Sequence, residues 1–130
     1  MAVNMETRLL YRPVGLFELR LIRDSGYTAF PPRLPEQPIF YPVLNFEYAE
    51  QIAKTWNTKD VKSGYMGAVT KFELPFEYLQ QFPEQTVGAS SHRELWIPAE
   101  EMESFNKQIL GKIRVIAAFY GDRFEGDRDW

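Results

Sequence analysis

The stretch SSHRELWIPAEEM, residues 90–102, holds the only histidine of the chain, two positions ahead of a glutamate. In a strand, alternate residues share a face, so His92 and Glu94 would be neighbours on one side of a sheet. An imidazole titrates near neutral pH, and next to a carboxylate it has the makings of a proton-transfer pair. A solvated strand edge presents the same two residues. Familiar chemical motifs give no further anchor. G-x-G-x-x-G, G-x-x-x-x-G-K-[ST], H-E-x-x-H and G-x-S-x-G are all missing. With no cysteine and a single histidine, thiolate chemistry, cysteine-held zinc and His-rich metal sites fall away, and no metal is expected. Three chemically mixed segments remain: YRPVG (11–15), IFYPVLNFEYA (39–49) and SHRELWIP (91–98).

The elements that must position these segments are short. TRLLYRPV (7–14) reads as a strand, and GLFELRLIRDSG (15–26) as a helix with Gly26 as its left-handed stop. Residues 27–38 carry four of the nine prolines and read as an ordered loop. IFYPV (39–43) is a strand that its proline makes an edge or irregular one. NFEYAEQIAKTW (45–56) is the clearest helix, with Asn45 as N-cap and Tyr48, Ile52 and Trp56 (with Ala49 and Ala53) as an apolar stripe. A polar loop (57–64) leads to a strand at 65–74, a short helix at 75–82 with Pro75 at its start, and a strand-like or loop segment at 84–91. A strand at 92–97 runs into a helix at 98–110, which Gly111 stops. The most strand-like run follows at 112–120, then a polar tail at 121–130 that we expect to fray, with Trp130 the one residue there suited to docking. The sum predicts a single α+β domain: short strands in a bent or split mixed sheet, flanked by three or four short helices.

Composition limits the partners. Among 130 residues, 45% are hydrophobic and 15% aromatic, enough to build one core. A net charge of −3 argues against nucleic acid, which normally meets a basic face. The N-terminal MAVNMETRLLYRP has no apolar leader, and no apolar run reaches the roughly 18 residues of a membrane helix, so we expect a soluble, cytoplasmic chain without membrane contact.

Through LYRPVGLFEL, FPPRLPEQPIFYPVLN, YAEQIAKTWN and ELWIPAEEMESFN, residues 9–119 resemble a small bacterial family labelled "ADP-ribosylation/crystallin J1". The three mixed segments also resemble, in order and type, the three motifs of the ADP-ribosyltransferase fold. The resemblance implies that NAD is a substrate and ADP-ribose the group transferred. It matches Arg12 to the residue that holds the NAD ribose or phosphate, for which a guanidinium fork is suited. Tyr41 matches the aromatic residue that stacks on nicotinamide. The hydroxyl residues of the alternative second motif are replaced here by Pro42 and Val43. Glu94 matches the glutamate that binds the nicotinamide-ribose hydroxyls and stabilises the oxocarbenium-like state. His92 stands where that motif usually has Gln or Glu, and would serve as a general base toward the acceptor. Arg33, in the proline-rich loop, would touch phosphate, and Asn45 joins the cofactor side although it is first of all a cap.

Two functions follow. One is NAD-dependent ADP-ribosyl transfer to a protein or small-molecule acceptor, or NAD hydrolysis. The other is a catalytically inactive binding or regulatory module on the same scaffold, its aromatic residues serving an interface. An RNA phosphotransferase-like activity is a third reading, which the acidic balance disfavours.

Overall fold

The computed structural model describes residues 5–130. Strand β1 (Thr7–Val14) leads through Gly15 into helix α1 (Leu16–Asp24). The proline-rich loop follows, then strand β2 (Ile39–Phe40) and helix α2 (Phe46–Thr55). Two 3-10 turns, Asn57–Lys59 and Val61–Ser63, occupy the expected polar loop. Next come β3 (Met66–Pro75), α3 (Phe76–Leu79), β4 (Glu84–Thr86), β5 (Arg93–Leu95) and β6 (Ile97–Pro98). A 3-10 turn (Ala99–Glu101) opens α4 (Met102–Gln108), and β7 (Leu110–Tyr120) ends the regular structure. The architecture is α+β, with four α-helices among the described residues. No helix among them is long and apolar enough to cross a membrane.

The sheet is split, as expected, but not mixed. Every pairing is antiparallel: β1–β3–β7, β2–β6 and β4–β5. Parallel neighbours need a crossover returning each strand to the same end of the sheet. Here β1 and β3 run oppositely, with Thr7 facing Pro75 and Val14 facing Ala68. Val43 stitches the pieces together. It bridges Tyr11 on one side and Glu94 on the other, its N–H donating to the Tyr11 carbonyl at 2.7 Å and its carbonyl accepting from the Tyr11 N–H at 3.0 Å. The segment around it runs alongside residues 93–99, with Leu44 N–H on the Arg93 carbonyl and Leu95 N–H on the Pro42 carbonyl. Pro38, Pro42 and Pro98 lack donors, so this ladder is broken into short pieces that bend.

Both faces of the sheet are covered. On one, Leu16, Leu19 and Ile22 of α1 and Met102 and Phe105 of α4 join a core with Leu10, Met66 and Phe72. At its centre Phe30 meets Phe40 at 4.9 Å and Phe72 at 4.8 Å, and Phe40 meets Phe105 at 5.4 Å, in tilted or edge-on contacts that add roughly 0.5–1.5 kcal/mol each to plain burial. On the other face α2 packs with Ala49 and Ala53 against Val43 and Val69. The approach there is close. A Cβ on Gly67 would run into the Ala53 carbonyl and its Cα, so α2 and β3 need glycine at that contact.

Three local expectations need correction. Trp56 does not continue the buried stripe of α2 but stands 60% exposed, because the inward face turns on the alanines. Gly111 does not stop α4, which ends at Gln108. It sits inside β7 with φ +72°, where the register against β3 shifts between Lys71 and Glu73 and an irregularity takes up two extra residues of β7. The tail at 121–130 does not fray freely. Phe124 is buried against Tyr120 at 4.8 Å, and Trp130 packs on the core beneath the Arg23 guanidinium, 5.0 Å away. Two aromatic residues in a short polar segment supply the apolar area that holds it.

Candidate functional site

A cleft of about 830 Å³ opens beside the Val43 seam, within the usual size range of ligand sites. One wall is the turn from β1 into α1, with Arg12 and Glu18. The second is the proline-rich loop and the following strand, with Arg33 and Tyr41. The third is the end of α2 with the 3-10 turns, and Glu94 also reaches the cleft. Backbone pairing explains why distant residues meet. Tyr11, Val43 and Glu94 are successive rungs across the strands, and this brings Arg12, Tyr41 and Glu94 to one opening.

Arg12 does not hold its guanidinium free. Its side chain is only 11% exposed, and Nε and Nη2 donate to the Glu18 carboxylate at 2.7 and 2.9 Å, a bidentate pair. Nη1 reaches the Tyr41 carbonyl at 3.5 Å, a long contact. The guanidinium lies 4.5 Å from the centre of the Phe40 ring, and Arg33 approaches the same ring at 5.8 Å. Arg33 Nε donates to the Gln37 carbonyl at 3.2 Å, and no carboxylate among the described residues pairs with it. Burial, and next to it the Arg12 charge, lower the Arg33 pKa, while Glu18 and Tyr41 act in the opposite sense.

Glu94 is buried, 8% exposed, and both its oxygens are occupied. Oε2 accepts from the Tyr48 hydroxyl at 3.1 Å and Oε1 from the Trp96 indole N–H at 2.8 Å. Burial, then the Glu94 charge and hydrogen bond, push the Tyr48 pKa up to about 12, so its hydroxyl remains a donor. Tyr41, which lines the cleft, is 40% exposed and Trp96 is 42% exposed, with their rings edge to face at 6.3 Å.

His92 does face the same side as Glu94, yet Tyr48 lies across both. The imidazole stacks flat on the Tyr48 ring at 4.3 Å and contacts Gln51 Oε1 at 3.2 Å, and it does not line the cleft. Asn45 is also outside it. Its Oδ1 accepts from the Tyr48 N–H at 2.7 Å and its amide donates to the Ser91 carbonyl, so it caps α2 and ties the helix to the turn before β5. The cap thereby sets where Tyr48 meets Glu94. The far wall is fixed similarly. Asn57 Nδ2 donates to Ser63 Oγ at 2.9 Å, and Ser63 Oγ to Asp60 Oδ2 at 2.7 Å. Gly15 abuts this turn so closely that a Cβ there would stand 2.6 Å from Ser63 Cα.

Arg12, Arg33, Tyr41 and Glu94 therefore share one cleft, whereas His92 and Asn45 support it from behind. Sequence reading passed over Glu18, Tyr48 and Trp96. Period two offered a signal for Trp96, two places after Glu94. Nothing in the spacing links Glu18 to Arg12, because the β1–α1 turn makes that contact. The site defines a class, an α+β domain with paired guanidiniums and a buried carboxylate along one aromatic-rimmed cleft. Compared with family models, curated proteins and solved structures, the chain matches none.

Proposed function

We propose that the cleft takes NAD and that the protein transfers its ADP-ribosyl group to an acceptor or to water, on a scaffold of ADP-ribosyltransferase type related to the "ADP-ribosylation/crystallin J1" family. The observation that carries this reading is the meeting of Arg12, Tyr41 and Glu94 in one cleft from segments far apart in sequence. The residues suit the substrate. Two guanidiniums near the Phe40 ring are donors of the kind a diphosphate would use, and the half-exposed Tyr41 ring is a surface of the kind a planar nicotinamide would stack on.

Glu94 supplies the chemical step. As the bond between the ribose carbon and the nicotinamide nitrogen breaks, its electron pair leaves with nicotinamide and positive charge develops on the ribose. A fixed carboxylate stabilises that charge more than it does the ground state. The acceptor's oxygen or nitrogen then bonds to the same carbon and loses its proton to solvent. Tyr48 and Trp96 hold the carboxylate in place, so little reorganisation is needed when the charge appears.

One observation favours the second reading, an inactive binding module. Arg12 and Glu94 already have internal partners. Calorimetric titration with NAD, paired with a nicotinamide-release assay, separates the readings. ADP-ribosyl transfer predicts saturable binding and release that Glu94→Gln abolishes. Binding without release leaves the module, and no binding at millimolar NAD removes both NAD readings.

A further inference from the structure

The third wall of the cleft takes no part in the proposed NAD contacts. It is built from the end of α2 and the two 3-10 turns, where Trp56, Asn57, Asp60, Lys62 and Ser63 line the space. Trp56 is the C-cap of α2, its N–H donating to the Ile52 carbonyl at 2.9 Å, and its indole stands exposed. Asn57 and Ser63 are buried, and their hydrogen bonds run one way, from Asn57 Nδ2 to Ser63 Oγ and from Ser63 Oγ to Asp60 Oδ2. What this chain leaves over is acceptors alone. Asp60 Oδ1 lies outside it, and Asn57 Oδ1, in a residue only 5% exposed, has no partner among the described residues. A buried acceptor without a donor costs about 1–3 kcal/mol, so the wall favours a group that brings donors. Its charge points the same way. No Lys, Arg or His nitrogen among the described residues pairs with Asp60. Lys62, the other charge on this wall, is exposed and makes no ion pair there. Over the whole cleft the cations are Arg12, Arg33 and Lys62, against the carboxylates of Glu18, Glu36, Asp60 and Glu94, an excess of one negative charge.

We propose that this wall is a binding site for a guanidinium group, the end of an arginine side chain on a partner molecule. A guanidinium offers donors and no acceptor, is planar, and stacks on aromatic faces. Trp56 supplies the face, Asp60 the opposite charge, and the partnerless Asn57 Oδ1 a second acceptor. An ammonium also brings donors, but it is strongly hydrated and presents no plane to the indole. A neutral urea of the same shape lacks the charge and adds a carbonyl that meets only acceptors here. Lys62 opposes the bound cation and keeps its affinity moderate. The site does not rest on the NAD reading. A guanidinium held here is the acceptor in a transferase and the recognised group in an inactive module.

The test is calorimetry on the full chain, without NAD, using N-acetyl-arginine amide and its citrulline and lysine counterparts. Wild type is expected to bind the arginine amide at one saturable site, and the isosteric but neutral citrulline amide at least about tenfold more weakly, a factor equivalent to about 1.4 kcal/mol. The lysine amide should fall between them. Asp60→Asn keeps an acceptor for Ser63 Oγ and should weaken the arginine amide by about fivefold or more. Trp56→Ala should weaken it by a similar factor, about fivefold, while Trp56→Phe recovers part of the loss. Lys62→Ala should tighten it about twofold, most clearly at low salt. Glu103→Gln, which removes a carboxylate from the exposed side of α4, should bind as wild type does. The site is overturned if wild type shows no saturable binding at tens of millimolar, or if the citrulline or lysine amide binds as tightly as the arginine amide. It is equally overturned if Asp60→Asn, with an unchanged melting curve, leaves affinity as it was, or if Glu103→Gln weakens binding as much as Asp60→Asn. Failure here is distinct from failure of the NAD reading. Arginine binding that responds to Asp60 and Trp56 stands whether or not nicotinamide is released. Nicotinamide release without any arginine binding removes this site and keeps the NAD reading.

Discussion

The two ends of the cleft solve opposite electrostatic problems. At the Glu94 end, a buried carboxylate is satisfied by two neutral donors, the Tyr48 hydroxyl and the Trp96 indole. Its charge is kept whole and aimed. At the Arg12 end, Arg12 is paired with Glu18, while Arg33 approaches the same Phe40 ring and bonds only a backbone carbonyl. Charge there is partly cancelled by the Arg12–Glu18 pair. Neutral donors orient a charge without neutralising it, whereas an ion pair orients a charge and also spends it. The proposed function uses this difference, with one end to hold the ligand and the other to act on it.

Breaking the Glu94 end should have the largest effect. Glu94→Gln keeps the shape and removes the charge, and nicotinamide release should fall roughly 100-fold or more, as when a transition-state electrostatic partner is lost. Unchanged release would put the chemistry elsewhere. Next is Arg12→Ala, which strands the Glu18 carboxylate with its side chain 20% exposed. Urea unfolding should show a loss of about 2 kcal/mol, between the values for surface and buried pairs, and Arg12→Ala/Glu18→Ala together should recover part of it. A double mutant no better than the single one would mean that Arg12 matters through packing on Phe40 alone.

Smaller effects should follow at the donors. Tyr48→Phe and Trp96→Phe each remove one hydrogen bond to a charged group, and each should cost about 1–2 kcal/mol in urea. Both should lower the rate of nicotinamide release more than they raise KM, because they act through Glu94. The smallest effect concerns pH. The Tyr48 pKa rises from about 10 in an unfolded chain to about 12 in the fold. The folded state therefore holds this proton more tightly, and the stabilisation is complete below pH 10 and disappears as pH climbs through 12. Tyr78, pushed up to about 12 by burial and then by the Glu101 charge, behaves likewise. Thermal melts should be flat in this respect up to about pH 10 and fall above it, and Tyr48→Phe should reduce the slope without abolishing it.

Much of the fold is legible along the chain because its signals are local. Asn45 announces the start of α2, Gly26 with φ +78° the end of α1, and the apolar and aromatic residues of TRLLYRPV strand β1. Where sequence reading missed, the cause is contact at a distance. Trp56 looks like the next step of an apolar stripe until the Gly67 approach shows that the buried face belongs to the alanines. Gly111 looks like a helix stop until β7 pairs with β3 and the register shifts there. In the site, Arg12, Arg33, Tyr41 and Glu94 are recognisable by type, and His92 draws the eye as the lone imidazole, but only the stacking on Tyr48 shows that it stands behind the cleft.

By itself the sequence determined an α+β domain without cysteine, its helix caps, its interrupted strands and a short set of reactive side chains. These depend on residue type, on periods of two and 3.6 residues, and on the donors that prolines lack. The tertiary structure decided which of those side chains share a space and which partners they meet there. Val43, bridging Tyr11 and Glu94, brings the segments together with the β2–β6 pair and the Leu44–Arg93 and Leu95–Pro42 hydrogen bonds. The β1–α1 turn gives Arg12 its carboxylate, and the Asn45 cap sets Tyr48 on Glu94. Such pairings act through Coulomb and hydrogen-bond terms that fall off within a few ångströms, so they depend on distances that no linear spacing encodes.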